Sequence, residues 1–541
     1  MNDNLVNFPT TVTKMLAIAA SENNGAGIIY DGRTLTYNSL DRESRRVATG
    51  LSALGIGLGD RVAFWLPNSP AYLILYFACA RIGAITVAVN TRYRAGEVED
   101  VLGRTGAKAL IMWPGFRGID FPGILEEVDR AALDRLDIAI LYSEDGARSS
   151  AMPGVTRTVT YDSLFDSGIC DTDASRPDLG CNTFTTSGTT KAPKFVLHAN
   201  SSMAVHAAEV ARDFGYSDPA TVVQQDMPLC GVFGITGVLA AIAAARPLVL
   251  TSAFDADRTA ALMAEHKVTH FDGSDEMIDR LLRATDRDDI FERVGFVGYA
   301  IFNSYLDDIV QQAERRGLHA VGLWGMSEMQ ALVSRRSRDD PAEMRKKGGG
   351  RLVSPHAEAR VRDPETGKLC MEGVAGELEI RGPSRMLEYF GDPAATLDAL
   401  TEDGFVRTGD LAQMEPGGGF EYLTRMGDVL RLGGFLVSPA EIEAEVQVHP
   451  SVAGVQVVSA PFGGADRPIA FVIPEDGVAF DAGQVQAHCA ARLAKYKVPA
   501  KVMPLDAFPV TESANGVKIQ RTKLRQMAVD LLQSDLVSGN L

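Results

Sequence analysis

Thr183-Phe-Thr-Thr-Ser-Gly-Thr-Thr-Lys-Ala-Pro-Lys-Phe-Val-Leu-His198 is the stretch on which the reading of this chain turns. Hydroxyl side chains crowd around Gly188, two lysines follow, and the stretch closes in an apolar run. Such a loop can wrap phosphate. Its glycine frees backbone N–H groups to converge on oxygens, the hydroxyls add donors, and the lysines add charge. It is not the P-loop of nucleotide triphosphatases, because Gly188 is not followed at the required spacing by Gly-Lys-Ser/Thr. A polar turn ahead of a strand has the same look, so its meaning depends on the rest of the chain.

At 541 residues the chain exceeds one ordinary core, and about two to four domains are expected. A net charge of -17 excludes a nucleic-acid surface, which needs a basic footprint, but leaves room for a local pocket that binds small anions. The six cysteines (Cys79, Cys170, Cys181, Cys230, Cys370, Cys489) show no C-x-x-C and no metal-ligand spacing. They read as idle thiols of a reducing compartment, and a cytoplasmic location is expected. The opening Met-Asn-Asp-Asn lacks the basic-then-apolar pattern of a signal peptide. Met227 to Ala245 approaches the length of a membrane span, yet Pro228, Gly231, Gly234 and Gly237 interrupt it and no basic cluster flanks it. A buried helix with its entry loop is the expectation there.

Outward from the opening stretch, short apolar strands alternate with helices. Arg61–Leu66 and Ala84–Asn90 read as strands, and Ser69 caps a helix through Ile82. Lys108–Met112, Ile138–Tyr142 and Pro247–Leu250 repeat the pattern, which implies parallel sheet with helices on its faces. From Gly376 the texture changes to short β segments: Glu377–Ile380, Gly404–Arg407 and Phe420–Leu423. A last unit begins near Gly427, with helices at Pro439–Val448 and Ala482–Ala494, strands at Gly454–Ser459 and Ile469–Ile473, and a basic C-terminal segment. The boundary falls at Arg425-Met-Gly-Asp428, so the domains are 1–424, a hinge at 425–428, and 429–541.

Three further stretches complete a constellation. Trp324-Gly-Met-Ser-Glu328 follows a strand-like Ala320-Val-Gly-Leu323 and offers an aromatic for a base, a serine for phosphate and a carboxylate for Mg²⁺. Arg407-Thr-Gly-Asp410 sets a carboxylate at a turn, where it could accept both hydroxyls of a ribose. Asn515-Gly-Val-Lys-Ile-Gln-Arg521 carries a lysine after a tight turn. Taken singly, each is also what a surface turn or solvated hairpin looks like.

In this order, and with Leu35-Thr-Tyr37, Gly83-Ala-Ile-Thr-Val87, Gly376-Glu-Leu378, Gly433-Gly434, Ser438-Pro-Ala-Glu-Ile442 and Lys495-Tyr-Lys-Val-Pro499, the set resembles the adenylate-forming superfamily. That superfamily includes acyl-CoA synthetases, peptide-synthetase adenylation domains and luciferases, and the likeness is nearest to carboxylic acid–CoA ligases over nearly the whole chain. It implies an α/β fold: a large N-terminal domain of parallel and mixed sheets with flanking helices and a small β-barrel-like subdomain, then a small mobile α+β C-terminal domain. It implies ATP, Mg²⁺ and coenzyme A, a small carboxylic acid as substrate, and no nucleic acid or integral membrane span; it also admits a homodimer. The implied reaction has two steps. A carboxylate attacks the α-phosphate of ATP and releases pyrophosphate; the small domain then swings, and a thiol takes the acyl group.

Carried over by motif, Lys518 would reach the carboxylate and α-phosphate. Thr185, Thr186, Ser187, Gly188, Thr189, Thr190 and Lys194 would hold the β- and γ-phosphates. Ser327 would contact the α-phosphate, Glu328 the Mg²⁺, and Trp324 the adenine. Asp410 and Arg425 would take the ribose hydroxyls, and Gly433-Gly434 would line the pantetheine tunnel, where missing side chains allow close approach. Positioned cations and donors are what the transition state needs as charge gathers on the α-phosphate.

Four departures mark this chain. Lys191 stands where the family has glycine, either as an extra phosphate cation or as a solvent-facing residue. Leu229-Cys-Gly-Val-Phe233 replaces an aromatic and a histidine, leaving space beside the carboxylate. Ile301-Phe-Asn-Ser304 replaces a Gly/Ala-rich segment before the adenine, with Asn303 able to bond the base. Gly427 occupies the hinge position, usually Asp or Lys, and tolerates both backbone states of a swivel.

The matched acyl pocket is Gly231, Phe233, Gly237, Leu323, Met329 and Ala331, all apolar, so an apolar aromatic, branched or medium-chain monocarboxylic acid is expected. Core packing would explain the same residues, Met329 and Ala331 above all. An adenylating enzyme that loads a carrier protein would share this chemistry, and a luciferase would share every nucleotide residue. Phe233 or its neighbours stand where a peptide synthetase grips an amino group with Asp, which disfavours an amino acid. A nucleotide-binding protein that has lost catalysis would fit the altered adenine and acyl loops, but keeps no need for Lys518, Glu328, Asp410 and Lys194. Gly325-Met-Ser-Glu-Met329 lacks the final glycine of a hydrolase nucleophile elbow.

Overall fold

The computed structural model describes residues 9–22, 25–146, 151–169, 171–186, 193–302, 306, 308–432, 435–462, 465–513 and 516–538, with the backbone alone at 431, 435–436, 465, 512–513, 516–518 and 533–538. It is an α/β fold, as expected. Apolar runs such as Arg61–Trp65, Ile85–Ala88, Ala109–Met112 and Ile138–Leu141 are buried on both faces and pair in parallel. They form the centre of an eight-stranded sheet. One edge of that sheet is antiparallel: Gly180–Thr185 pairs with Phe195–Ala199, which pairs with Glu388–Tyr389. The helix Pro70–Arg81 starts where expected, with the Ser69 hydroxyl accepting from the Tyr72 N–H at 3.2 Å and Pro70 in the first turn.

A second sheet of thirteen strands changes character halfway. Gly27–Tyr30, Leu248–Leu250, Val223–Gln225, His270–Ser274, Phe296–Ala300 and Ala320–Met326 run parallel. From Ala320–Met326 onward every pairing is antiparallel, through Gln330–Arg335, Gly349–Leu352, Phe420–Arg425, Val406–Met414, Gly376–Arg381 and Glu358–Arg362. The short β segments after Gly376 are therefore the antiparallel end of this sheet, around a core of Trp324, Met329, Val361, Leu378, Val406 and Phe420.

The stretch from Met227 holds a buried helix, Val232–Ala243, and no helix among the described residues is long and apolar enough to cross a membrane. The C-terminal part has a core of its own, including Leu430, Ile442, Val457, Val472 and Cys489. The basic C-terminal segment is an 18-residue helix, Arg521–Ser538. Its Leu524, Ala528 and Leu532 recur every four residues and bury against the strands Val452–Phe462 and Ala465–Pro474.

Gly349 joins the two halves of the antiparallel end: it pairs with Glu421, and its carbonyl accepts from the Ser334 hydroxyl at 3.0 Å. Its φ is +100°, and an added Cβ would stand 2.2 Å from the Phe420 carbonyl oxygen. Gly349→Ala is expected to cost about 2 kcal/mol or more of folding stability, read as a lowered urea midpoint; an unchanged midpoint would show that the strand shifts freely.

Candidate active site

The opening stretch is a hairpin. Thr185 pairs with Phe195, the Thr186 N–H donates to the Lys194 carbonyl at 2.9 Å, and the Lys194 N–H donates back to the Thr186 hydroxyl at 3.3 Å. These bonds fix both ends of the loop whose tip (Ser187, Gly188, Thr189, Thr190 and Lys191) lies outside the described residues. The Lys194 ammonium sits 4.3 Å from the centre of the Tyr389 ring. The Tyr389 hydroxyl donates to Glu328 Oε1 at 2.6 Å. One tyrosine thus ties the hairpin's lysine to the carboxylate proposed for the metal, and nothing in the sequence around it announced that role.

Ser327 and Glu328 lie in a tight turn, Ser327–Met329, at the point where the large sheet passes from parallel to antiparallel. Beyond it, Gln330 and Leu332 adopt φ of +66° and +62°, uncommon for residues with a Cβ. Buried side chains hold this backbone. His198 Nε2 donates to the Ser327 carbonyl at 2.7 Å, His206 Nε2 to the Ala331 carbonyl at 2.6 Å, and Gln330 Nε2 to the Ser202 carbonyl at 2.8 Å. Burial lowers both imidazoles to about 4, so they are neutral near pH 7, and a carbonyl partner places the proton on Nε2. The Met386 N–H donates to the Glu328 carbonyl at 2.7 Å.

Asp410 and Arg425 face each other across paired strands, with Arg425 Nη1 2.9 Å from Asp410 Oδ1. The Trp324 indole N–H donates to Asp410 Oδ2 at 3.0 Å. Burial pushes the Asp410 carboxyl up to about 6, against the pull of Arg425 and the indole. Arg425 is half exposed, so one side of the pair meets solvent while the carboxylate does not. Trp324 is 6% exposed and packs edge-on to Phe420, so its first role in this structure is to hold Asp410. Glu328 adds negative charge near both Asp410 and Arg425.

Gly231 caps the helix Val232–Ala243, and Phe233, Leu323 and Ala331 are buried in the same core. An added Cβ on Gly237 would lie 2.3 Å from Gln225 Nε2, so the space beside Gly237 belongs to that amide. Met329 is not brought to this wall: the turn sends it into the core of the antiparallel end, where it is fully buried. Asn303, Gly433 and Gly434 lie outside the described residues. The Lys518 backbone is placed in the strand Gly516–Ile519, opposite Thr511. An added Cβ on Gly427 would touch nothing within 4 Å, and the Gly427 carbonyl accepts from Arg525 Nη2 at 3.0 Å, with Arg525 also 3.6 Å from Asp428.

Among the described residues no group of three or more His, Cys, Asp or Glu side chains could hold a metal by itself. A lone carboxylate at Glu328 fits Mg²⁺, which takes one or two carboxylates and completes its shell with water and phosphate oxygens.

Comparison with known proteins agrees with this geometry. The family model described as AMP-binding enzyme matches residues 17–390, and that of the AMP-binding enzyme C-terminal domain matches 441–515. The Bacillus subtilis protein YngI, whose name carries an acyl-CoA synthetase assignment, is 30% identical across 93% of this chain and 94% of its own. The mitochondrial medium-chain acyl-CoA ligase ACSF2 of Bos taurus is 29% identical across 92% of this chain and 83% of its own. The ATP-bound structure of MatB from Rhodopseudomonas palustris shares the fold, with a TM-score of 0.81 at 24% identity over 96% of this chain and 100% of that one.

If Asp410 accepts ribose hydroxyls, it does so best when ionised. Affinity for adenosine, which has no phosphate to titrate, is expected to rise with pH through about 6, and Asp410→Asn should flatten that rise and weaken binding by about tenfold or more. A wild-type titration that stays flat through this range removes Asp410 from the ribose contact.

Proposed function

The chain belongs to the AMP-binding enzyme family and is an AMP-forming acid–CoA ligase, and from that premise we propose that it activates a carboxylic acid with a largely apolar body. The observation that carries this reading is the convergence at one sheet joint. Tyr389 joins the hairpin's Lys194 to Glu328, Trp324 bonds the Asp410 of the Asp410–Arg425 pair, and Phe233, Leu323 and Ala331, matched to the acyl pocket, are buried in the large core.

In the first half-reaction a carboxylate oxygen of the acid bonds to the α-phosphorus of ATP. The bond from that phosphorus to the bridging oxygen breaks, and pyrophosphate leaves. The hairpin donors and Lys194 would hold the departing β- and γ-phosphates, and Ser327 the α-phosphate. Asp410 and Arg425 would fix the ribose, and with it the angle of attack. Glu328 would hold a Mg²⁺, which would supply charge neutralisation when bound. Tyr389 and the two buried histidines keep Glu328 and its turn in place without touching substrate. Lys518 would come from the small domain to the carboxylate and α-phosphate.

In the second half-reaction the coenzyme A thiol, having given up its proton, bonds to the acyl carbon, and AMP leaves. We place the domain boundary at 425–428 and the rotation between the two steps at Gly427, whose surroundings leave space for a change of backbone. Gly433 and Gly434 would then border the pantetheine.

Two substitutions separate the half-reactions. Lys518→Ala should abolish acid-dependent pyrophosphate release while sparing thioester formation from pre-made acyl-adenylate; equal loss of both refutes its role. Gly427→Pro should spare adenylate formation and slow thioester formation, and an unimpaired second step rules out that pivot. The ligase reading itself is tested by a screen of carboxylic acids with ATP, Mg²⁺ and coenzyme A, read as thioester by mass; a panel without product overturns it.

A further inference from the structure

Away from the nucleotide corner, one face of the parallel half-sheet carries polar groups that the fold leaves unmatched. Gln225 and Asp272 sit on neighbouring parallel strands as register partners, so their side chains share a face. Gln225 Oε1 accepts from the Met227 N–H at 2.8 Å, but its Nε2 has no hydrogen-bond partner among the described residues. Asp272 Oδ1 has no partner of good geometry either, although the Gly298 N–H lies close enough to draw its carboxyl down, and the Tyr216 hydroxyl, whose neighbour in charge is Asp272, has none among the described residues. Gln225 and Tyr216 are fully buried and Asp272 is 2% exposed. Buried donors and acceptors are almost always matched, and such exceptions ask for an occupant.

Their position says which occupant. Gln225 Nε2 fills the space that a side chain on Gly237 would need. Asp272 Oδ1 lies 2.5 Å from the Cβ position of Gly298, and Leu323 Cδ1 lies 2.7 Å from the same point. Gly237 and Leu323 are both residues of the proposed acyl wall. Each stands against one of the unmatched polar groups, and Gly298, lacking a side chain, is what lets carboxyl and leucine approach each other.

We propose that the acid activated by this enzyme carries a hydroxyl group on its apolar body, accepting from Gln225 Nε2 and donating to Asp272 Oδ1. The proposal rests on the ligase reading and names the substrate class within it. A hydroxyl gives and receives hydrogen bonds through one atom, as this pair of groups requires. An ammonium would satisfy Asp272 and leave the Gln225 amide without an acceptor; a ketone would do the reverse while Asp272 is ionised. Burial raises the Asp272 carboxyl to about 7, so both of its forms are populated near neutral pH, and a hydroxyl can bond to either. A site built to bond a hydroxyl rejects the analogue lacking it, because its own buried groups are then stranded.

The test uses matched acids, each pair sharing one carbon skeleton with and without a hydroxyl remote from the carboxylate: ring-hydroxylated against plain aromatic acids, and hydroxylated against plain medium-chain acids. The readout is kcat/KM for acid-dependent pyrophosphate release by the full chain. In at least one pair the hydroxylated acid should win by about tenfold or more. Gln225→Met and, independently, Asp272→Leu, which can neither give nor receive the bond, should each reduce that preference to under about threefold, by lowering kcat/KM for the hydroxylated acid, raising it for the plain acid, or both. Adenosine binding checks that each variant is folded. If plain acids match or beat their hydroxylated partners in every pair while thioester still forms, the hydroxyl is refuted and the ligase reading stands. If both variants lower the melting temperature but keep the preference, Gln225 and Asp272 hold a buried water and the proposal falls. If no acid of either kind releases pyrophosphate, the ligase reading fails and takes this inference with it.

Discussion

Most of what this molecule can do hangs on the strapping of one turn. The strand Ala320–Met326 is the last parallel strand of its sheet, and Gln330–Arg335 is the first antiparallel one. The reversal leaves two residues with side chains in the left-handed region, a conformation that persists only where the surroundings over-determine it. Here His198, His206 and Gln330 bond to backbone carbonyls from within the core, where no water competes. The same strand carries Leu323, proposed for the acyl wall, and Trp324, which bonds Asp410, and the turn carries Glu328. Three functions therefore share one rigid segment, and a shift of its register would disturb them together.

The electrostatics are a local exception within an acidic chain. A net charge of -17 repels polyphosphate at long range, so binding depends on short-range arrangement. Lys194 is kept over an aromatic face and, among the described residues, pairs with no carboxylate, which leaves its charge available to an anion. Arg425 is shared between Asp410 and solvent. Asp410 is held in tension: burial opposes its charge, while the guanidinium and indole favour it. A ribose bound there would add two hydroxyl donors to the side that favours the anion, and would pull the carboxyl toward its ordinary value.

The legible part of the site was the part written as contiguous motifs. The hairpin and Ser327-Glu328 could be read because each is a turn at a strand end with its chemistry in adjacent letters, whereas Asp410, expected at a turn, lies within the strand Val406–Met414 and meets Arg425 only through strand pairing. The fold class was readable for a related reason, since doubly buried strands such as Ile85–Ala88 leave unbroken apolar runs. Residues that act across the chain were not readable. His198 and His206 look like any core histidines until the turn they hold is seen. Tyr389 meets Glu328 only because Glu388–Tyr389 pairs with the hairpin's second strand. Gln225 and Asp272 are 47 residues apart and become neighbours through parallel register. Met329 was assigned to the acyl pocket by its matched position, yet it packs into the core of the antiparallel end with Trp324 and Phe420. The C-terminal helix was read only as a basic segment because Arg521, Lys523 and Arg525 crowd its start.

The grip of Arg525 on the linker has a consequence for timing. Its guanidinium holds the Gly427 carbonyl and approaches Asp428 from the last helix, at a surface where both charged partners are partly solvated. Surface contacts of this kind contribute about 1 kcal/mol or less, so undocking them is a small toll against thermal energy. For a rotation about Gly427, that sets a shallow detent in place of a lock: deep enough to favour one orientation at rest, shallow enough that an arriving or departing ligand can tip it. The two half-reactions would then be ordered by what the site contains, with the linker itself close to indifferent.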